Sequence, residues 1–358
     1  MTKSVIVHLG SARAPWVFRN LKRHLSMFPG VPLVFISDNV AHIKRAEKMG
    51  SETFLYEPTK TIESMFKKST HEKNFRQNFW RTSTERFFAI QQLQMRFQEE
   101  PYLHIESDVM LMPNFPWEKL GGLTKLTWLN QNESHDCAAL VFLPTRAETN
   151  WLINELAAGI SKDVKATDMK LLHEIRQANL ERISLFPSCS SDIASRDLLN
   201  DQTRLSEITE LADYFGGIFD SMHLGMWLTG QNPRNHGGKV IRYEKEFIED
   251  CDFNSNSFFI FQDRLYVGKI ESLSVFNLHI HSKNLKLFSG SWEKELKRMV
   301  KQASTLSRKR AFSWNGWVGS KYDVFISVNS RLLVFIAVIL RIDQFLLKIK
   351  KSIGKVAN

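Results

Sequence analysis

The chain has 358 residues, of which 43% are hydrophobic and 24% are charged. This length and composition exclude an intrinsically disordered chain and predict one large domain with an appendage, or two domains. The formal net charge is +10, and residues 291–358 carry fourteen Lys and Arg against four Asp and Glu. Residues 1–290 are therefore close to neutral. A nucleic-acid enzyme would more often spread basic charge over its working face, so we expect the basic tail to meet an anionic membrane surface.

The cysteine pattern and the N-terminal residues indicate the cellular compartment of the protein. Cys137, Cys189 and Cys251 lie far apart and include no CxxC pair, which predicts neither a disulfide framework nor a structural zinc site. The N-terminal residues lead directly into a strand, without the long apolar segment of a signal peptide. We therefore expect a cytoplasmic protein, peripherally associated with the inner face of the cell membrane.

The first fifty residues predict alternating strands and helices. Strands at residues 4–9 and 33–36 are each followed by a helical pattern, through residue 27 and over residues 40–49. This alternation indicates an α/β fold with a Rossmann-type, mostly parallel sheet flanked by helices.

Polar residues follow these two strands at their carboxyl ends, where such sheets bind ligands. His8, Gly10, Ser11 and Asp38 are candidates for holding a nucleoside, with Asp38 accepting hydrogen bonds from a base or a ribose. The alternative for Asp38 is that, with Asn39, it caps the next helix.

Residues 73–97 form a long helical pattern. Four apolar side chains are expected to face the core: Phe79, Phe87, Ile90 and Leu93. Arg81 and Arg86 also lie on this helix, and their guanidinium groups could bind phosphate oxygens in a two-pronged way. The alternative is that each arginine is solvated.

An acidic pair interrupts the apolar stretch at residues 102–112, YLHIESDVMLM. Glu106 and Asp108 stand at i and i+2, where a buried strand would emerge, and can converge on one Mg²⁺ or Mn²⁺ ion. The alternative is an acidic turn after a core strand.

Strands are predicted at residues 126–129 and 138–143, with Asp136 in the polar loop between them. Residues 147–182 are expected to be helical, with a break near Gly159 and a restart at residues 166–168. There Thr167 or Asp168 could be only an N-cap.

Residues 215–238 combine six glycines with varied polar side chains. Such glycine density lets the backbone approach a ligand closely, and the alternative is an irregular surface loop. The polar residues of this stretch are Asp220, His223, Gln231, Asn232, Arg234, Asn235 and His236.

Two histidines alternate along a later predicted strand. His279 and His281 should project to the same face, and Lys283 and Lys286 follow them. An imidazole could complete a cation site begun by the carboxylates, and a lysine beside it could neutralise phosphate.

The acidic pair after a hydrophobic strand, the arginine-bearing helix upstream and the late histidine near a lysine resemble the GT-A glycosyltransferases over residues 4–288. In that superfamily an aspartate-any-aspartate motif binds Mn²⁺ or Mg²⁺ and, through it, a nucleotide sugar. The resemblance assigns the metal to Glu106 and Asp108, although Glu replaces the first aspartate and Asp108 is the surer ligand. It matches the late histidine to His281, with His279 as competitor.

The resemblance also matches Arg86 to the arginine before the motif and Asp38 to the base-binding residue. It implies a metal-dependent transferase that uses a nucleoside-diphosphate sugar and a saccharide or lipid-linked acceptor in lipopolysaccharide, capsule or other surface polysaccharide synthesis. The cation, Arg86 and Lys283 would stabilise the departing phosphate. If the anomeric centre inverts, a carboxylate must take the acceptor proton; Asp220 is the first candidate and Asp136 the second.

The tail is expected to begin at residue 291, after a catalytic domain of residues 1–290. It starts with a basic helix, and an amphipathic interfacial helix is expected around nine consecutive apolar residues, 332–340, too few to span a bilayer. The alternative is a helix that docks on the catalytic domain or on a second subunit.

Two other functions fit parts of this pattern. A nucleotidyltransferase also pairs carboxylates around Mg²⁺, but it usually has a glycine-rich loop after the first strand, where this chain has only Gly10. A membrane-bound or nucleic-acid-binding scaffold would use the basic tail alone.

Overall fold

We describe the protein from a computed structural model. The described residues are 2–10, 14–67, 78–97, 101–131, 134–188, 210–230, 239–240, 258–261, 264–267, 273–311 and 326–327.

A seven-stranded sheet forms the centre of the fold. Its strands are β1 (Lys3–Val7), β2 (Leu33–Ser37), β3 (Glu52–Leu55), β4 (Tyr102–Ile105), β6 (Leu126–Asn130), β7 (Asp136–Leu143) and β8 (Ile183–Leu185). The order is β3-β2-β1-β4-β7-β6-β8, and β7 alone runs antiparallel to its two neighbours in this sheet. The predicted α/β fold with a mostly parallel sheet is therefore confirmed.

Two apolar cores cover the two faces of this sheet. Along β1, Val5 and Val7 belong to one buried cluster and Ile6 to the other, as expected because successive side chains point to opposite faces of a strand. A sheet covered on both faces needs nearly continuous apolar strands, and every residue of β2, β4 and β7 is buried.

Helices cover both faces. They are α1 (Pro15–Met27), α2 (Val40–Glu47), α3 (Lys60–Lys67), α4 (Phe79–Phe97), α5 (Trp117–Leu120), α6 (Arg146–Lys162) and α7 (Asp168–Ala178). The Asn39 side chain caps α2 by accepting the Ala41 N–H, and Thr167 caps α7. The helix break predicted near Gly159 falls after Lys162, and the next helix begins at Asp168.

The predicted core face of α4 is correct at three positions and wrong at one. Phe87, Ile90 and Leu93 are buried, whereas Phe79 is 37% exposed. Phe79 is the first residue of the helix, so its side chain lies beyond the edge of the core that the following turns cover.

A smaller set of strands lies beside the main sheet. Strand β5 (Val109–Leu111) pairs antiparallel with β14 (Asn277–His279), and β9 (Gly217–Ile218) pairs parallel with β13 (Leu273–Val275). Antiparallel pairs also join β11 (Phe258–Phe261) to β12 (Arg264–Val267), β12 to β13, and β10 (Lys239–Val240) to β15 (Ile326–Ser327). Helix α8 (His223–Thr229) precedes β10, and α9 (Trp292–Ala311) follows β14.

The beginning of the predicted tail packs against this smaller set of strands. Leu296, Met299 and Val300 of α9 share a buried cluster with Met110 of β5 and Leu278 of β14. Burial of these side chains joins the basic helix to the part of the chain that precedes residue 291. The interfacial helix predicted around residues 332–340 lies outside the described residues. Among the helices that the structure describes, none has both the length and the apolar character needed to cross a membrane.

Candidate functional site

Three strands bring polar residues to one edge of the main sheet. Strands β2, β1 and β4 are parallel neighbours, so their carboxyl ends lie along the same edge. Gly10 follows β1, Asp38 follows β2 and Glu106 follows β4 directly. This is the edge at which open α/β sheets bind ligands.

Glu106, Asp108 and His279 form a compact group at this edge. Their ligand atoms all lie within 4.8 Å of one another. The His279 Nε2 atom is 3.1 Å from Glu106 Oε2 and 3.3 Å from Asp108 Oδ2. Asp108 and His279 are buried, whereas Glu106 is half-buried.

Strand pairing explains why residues so far apart in sequence meet. In the register of β5 with β14, His279 lies opposite Val109, the residue after Asp108. The Ile280 N–H also donates to the Asp108 carbonyl at 2.9 Å. The β14 strand thus carries the imidazole to the acidic pair.

The structure distinguishes the two candidate histidines. His279, and not the expected His281, is grouped with the two carboxylates. Strand β14 ends at His279, so the strict alternation that would give His281 an equivalent place does not continue. The His281 ring instead contacts the His279 ring in a tilted arrangement, with centroids 4.1 Å apart.

Arg86 differs from the predicted phosphate-binding arginine. Its guanidinium group contacts Glu106 through one terminal nitrogen and Asp168 through the other, and the residue is only 8% exposed. Both prongs of the guanidinium are therefore committed to protein carboxylates. This arrangement fits an arginine that holds Glu106 in place.

Lys283 lies beside the acidic pair. Its ammonium contacts Asp108 and lies 5.5 Å from the centroid of the Trp16 ring. The backbone at Lys283 has a positive φ of 53°, which is uncommon for a residue other than glycine. The tight turn after β14 therefore directs this lysine back towards the carboxylates.

The charges of the group depend on one another. Burial would raise the pKa of Glu106, but Arg86 and a hydrogen bond from His279 hold that pKa well below its usual range. Burial would lower the pKa of His279, but the neighbouring Cys137 and Glu106 raise it well above its usual range. Burial raises the pKa of Asp168, against the opposing effect of Arg86.

The two carboxylates considered as bases are both enclosed. Asp136 is fully buried and accepts hydrogen bonds from Arg176, Trp128 and Asn130. Asp220 is 4% exposed, and backbone amides occupy both of its oxygens. Among the described residues, each of these two carboxylates is therefore enclosed by hydrogen-bond donors of the protein.

The residues considered for the nucleoside form a second group. Both Asp38 oxygens accept the Gly10 N–H, at 2.9 and 3.1 Å, while Asn39 supplies the helix cap. Asp38 is exposed and the His8 ring lies 5.1 Å from the His42 ring. Gly10 has a φ of +85°, a conformation that favours glycine. Ser11 lies outside the described residues.

Arg81 is held by a neighbour on its own helix. Its Nε and a terminal nitrogen donate to Glu85 at 2.7 and 3.2 Å, and Glu85 also accepts the Tyr56 hydroxyl. The Arg81 side chain is 34% exposed, so part of the guanidinium still faces solvent. No contact joins Arg81 to the acidic pair among the contacts described.

Sequence reasoning missed several residues that hold the site. The sequence pattern indicates only a helix cap at Asp168 and gives no direct signal for Ser221 and Asn277. The Ser221 carbonyl accepts a hydrogen bond from His279 Nδ1 at 2.6 Å. Asn277 lies two residues before His279 on the same strand, so strand alternation places it on the same face and could have identified it. The polar residues at 231–236 lie outside the described part of the chain.

The donor set fits a divalent cation. Two carboxylates and one imidazole are ligand types that Mn²⁺ accepts, and carboxylates suit Mg²⁺. Because the Ser221 carbonyl can only accept, His279 Nδ1 carries the proton of that hydrogen bond. In the neutral ring Nε2 then has a lone pair directed at the side of Glu106 and Asp108, where a cation would bind.

Comparisons with known proteins add a likeness of fold. The galactosyltransferase LgtC, solved with donor and acceptor sugar analogues, is 9% identical with a TM-score of 0.38, over 58% of this chain and 84% of LgtC. Core-mannan synthase A of Aspergillus fumigatus, solved in an Mn/GDP form, is 8% identical with a TM-score of 0.36, over 52% of this chain and 73% of the synthase. The PaToxG glycosyltransferase is 8% identical with a TM-score of 0.36, over 60% of this chain and 78% of PaToxG.

Two of these three structures are named as sugar transferases and the third as a mannan synthase. With identities of 8–10% and TM-scores below 0.5, the likenesses do not by themselves assign an activity. No family model matches the chain, and no curated protein matches it.

Proposed function

We propose that this protein is a metal-dependent glycosyltransferase. It transfers a sugar from a nucleoside-diphosphate sugar to a saccharide or lipid-linked acceptor, in the synthesis of a cell-surface polysaccharide. The observation that supports this proposal most strongly is the grouping of Glu106, Asp108 and His279 within 4.8 Å at the ligand-binding edge of the sheet.

The chemistry of the site follows from the charge that transfer produces. Departure of the nucleoside diphosphate leaves negative charge on a phosphate oxygen, and a bound Mn²⁺ or Mg²⁺ would neutralise that charge. Glu106, Asp108 and His279 would hold the cation. Lys283 would add a positive charge beside it, because its ammonium already lies at Asp108.

The nucleoside would lie at the ends of β1 and β2. Asp38 is exposed there, and its carboxylate, oriented by the Gly10 N–H, could accept hydrogen bonds from a base or ribose. Arg81, half-exposed on α4, is the remaining arginine candidate for a phosphate. In this proposal Arg86 positions Glu106 and does not contact the donor.

An anionic membrane surface is the proposed partner of the C-terminal region. Within residues 292–301 of α9 the exposed residues are Lys294, Lys297, Arg298 and Lys301, and their spacing places them on one face of the helix. The opposite face is buried through Leu296 and Met299. Lys297 and Arg298 also form ion pairs with Glu293 and Glu295, so each basic residue near the surface would contribute at most about 1 kcal/mol to the binding of anionic lipid headgroups.

Release of nucleoside diphosphate tests the proposed activity. The purified chain should be incubated with a panel of nucleotide sugars, with Mn²⁺ or with excess chelator, and the free nucleotide measured. We expect hydrolysis or transfer with one donor class, dependent on the cation and lost in Asp108→Asn. Failure to bind any donor, together with no effect of Asp108→Asn, would refute the proposal. Formation of a nucleotide sugar from a nucleoside triphosphate and a sugar phosphate would indicate a nucleotidyltransferase instead.

Vesicle binding tests the proposed membrane partner. We expect the chain to sediment with vesicles that contain anionic lipid and to remain in solution with neutral vesicles. The quadruple variant that changes Lys294, Lys297, Arg298 and Lys301 to Gln should lose most of this binding. Equal binding to neutral vesicles, or strong binding to RNA without vesicle binding, would contradict it.

A further inference from the structure

Asp220 links two elements that are far apart in sequence. It follows β9 and precedes α8, and its carboxylate accepts three backbone hydrogen bonds. The Leu224 N–H donates to Oδ1 at 3.0 Å, the Gly225 N–H to Oδ2 at 2.8 Å and the His279 N–H to Oδ2 at 2.9 Å. One carboxylate therefore ties the start of α8 to the backbone of His279. Such charge-assisted bonds are stronger than neutral ones.

Asn277 forms a second connection between the same two segments. Its Oδ1 accepts the Asp220 N–H at 3.0 Å, and its Nδ2 donates to the Asp220 carbonyl at 2.9 Å. Asn277 is fully buried, and it precedes His279 by two residues on β14. Because alternate residues of a strand share a face, both side chains meet residues 220 and 221 from the same side.

The His279 ring is fixed by the same segment. Its Nδ1 donates to the Ser221 carbonyl at 2.6 Å. With the backbone N–H bonded to Asp220 and Nδ1 bonded to Ser221, the ring can present only Nε2 to Glu106 and Asp108. Outer partners of this kind fix both the tautomer and the direction of a metal-binding imidazole.

Gly225 allows the two segments to approach closely. A Cβ atom added at Gly225 would lie 2.0 Å from the His279 carbonyl oxygen and 2.8 Å from Asp220 Oδ2. Both distances are shorter than any tolerated contact with a Cβ atom. Any side chain at position 225 would thus displace β14 at His279.

We propose that Asp220, Asn277 and Gly225 form a positioning clamp that sets the His279 imidazole for cation binding. The clamp comprises these three residues, and its target is His279. In this role Asp220 contacts neither the substrate nor the cation and is not a base. The inference rests on the proposed metal-dependent function, because it assigns His279 as a ligand.

Direct titration with Mn²⁺ tests the clamp without recourse to enzyme activity. Mn²⁺ affinity of the full chain should be measured by calorimetry for the wild type, Asp220→Asn, Asn277→Ser and Gly225→Ala. We expect about 10- to 100-fold weaker binding in each variant, the usual effect of removing an outer partner of a ligand. Asn277→Ser is the mildest change, and it decides the test if either of the others does not fold.

A destabilised core variant separates positioning from general loss of stability. Leu156→Ala removes a fully buried side chain of α6 that belongs to the cluster on one face of the main sheet. It should lower the melting temperature while leaving Mn²⁺ affinity unchanged. Parallel loss of Mn²⁺ binding in Leu156→Ala would contradict a specific role for the clamp.

The remaining outcomes distinguish the clamp from the function on which it rests. If the wild type binds Mn²⁺ and Asp108→Asn does not, but the folded clamp variants bind as tightly as the wild type, the clamp is refuted and the metal site stands. If the wild type itself does not bind Mn²⁺, both inferences fail.

Discussion

The ammonium group of Lys283 contacts the carboxylate of Asp108. A protein cation and a bound metal ion would therefore act on the same carboxylate, and their charges would oppose each other. The same lysine would stabilise a departing diphosphate. Lys283 is thus expected to weaken cation binding while it favours sugar transfer.

The Lys283→Met variant should separate these two effects. We expect Mn²⁺ to bind about tenfold more tightly, because removal of one nearby positive charge is worth on the order of 1 kcal/mol at a partly solvated site. Turnover should fall about 10- to 1000-fold, because the leaving group loses a stabilising charge. Calorimetry and nucleotide release measure the two quantities. The control is Lys286→Met, which changes an exposed neighbour and should alter neither Mn²⁺ affinity nor turnover. Unchanged affinity and turnover in Lys283→Met would contradict the proposed role of Lys283.

Arg86 should be essential for stability. Because it is buried between Glu106 and Asp168, Arg86→Met leaves two carboxylates without their shared counter-ion, at a cost of about 3–5 kcal/mol. Arg86→Lys should retain only part of this stability. Its ammonium keeps the positive charge but cannot bind two carboxylates as a guanidinium does. Urea unfolding measures the difference.

An arginine–glutamate ion pair near the surface serves as the control for Arg86. Arg182 pairs with Glu148, and the two side chains are 36% and 23% exposed. Arg182→Met should therefore cost at most about 1 kcal/mol. If Arg86→Met unfolds at the same urea concentration as Arg182→Met, the structural role of Arg86 is wrong and a donor-binding role regains support.

The two histidines should differ in their effect on cation binding. His279→Ala should reduce Mn²⁺ affinity at least tenfold, because Nε2 of His279 faces both carboxylates. His281→Ala should change the affinity only a few-fold, through loss of its ring contact with His279. A stronger effect of His281→Ala than of His279→Ala would reverse the assignment.

Stability should decrease below pH 6.5 because of a histidine remote from the site. His24 is 3% exposed, and burial, helped by the charge of Arg23, lowers its pKa from 6.5 to about 3. Above pH 6.5 the neutral ring contributes fully to the free energy of unfolding. This contribution is lost as the pH falls from 6.5 towards 3, by about 1.4 kcal/mol per pH unit.

Comparison of His24→Gln with the wild type isolates this effect. Urea unfolding at pH 7.0 and 5.5 should show a wild-type loss of stability that exceeds the loss in His24→Gln by about 1.4 kcal/mol. His24→Gln keeps a donor for Ser4, which lies 3.1 Å from His24 Nε2. Identical losses in the two proteins would mean that His24 is not kept neutral by the fold.

The sequence predicted features that depend on local pattern. Apolar runs that end in polar residues identified β1, β2 and β4, and the placement of Glu106 at the end of β4 followed from them. The parallel order of these strands then brought Gly10, Asp38 and Glu106 to one edge. These predictions succeeded because strand periodicity and strand ends are encoded within a few neighbouring residues.

The sequence could not predict features that depend on distant pairing. The choice between His279 and His281 rests on the register of β14 with β5, which spacing alone does not determine. The engagement of Arg86 by Asp168 depends on the packing of α4 against α7. Asp168 follows the capping residue Thr167, so its position in sequence indicates a helix cap and gives no sign of the ion pair with Arg86.

Binding of Mn²⁺ to the wild type and to Asp108→Asn tests the central claim most directly. Calorimetric titration should show one cation per chain in the wild type and in the control Asp163→Asn, whose side chain is partly exposed. It should show no measurable binding in Asp108→Asn. Asp108→Asn should remain folded, as judged by circular dichroism. Equal Mn²⁺ affinity in the wild type and in folded Asp108→Asn would contradict the assignment of Glu106, Asp108 and His279 as a cation site.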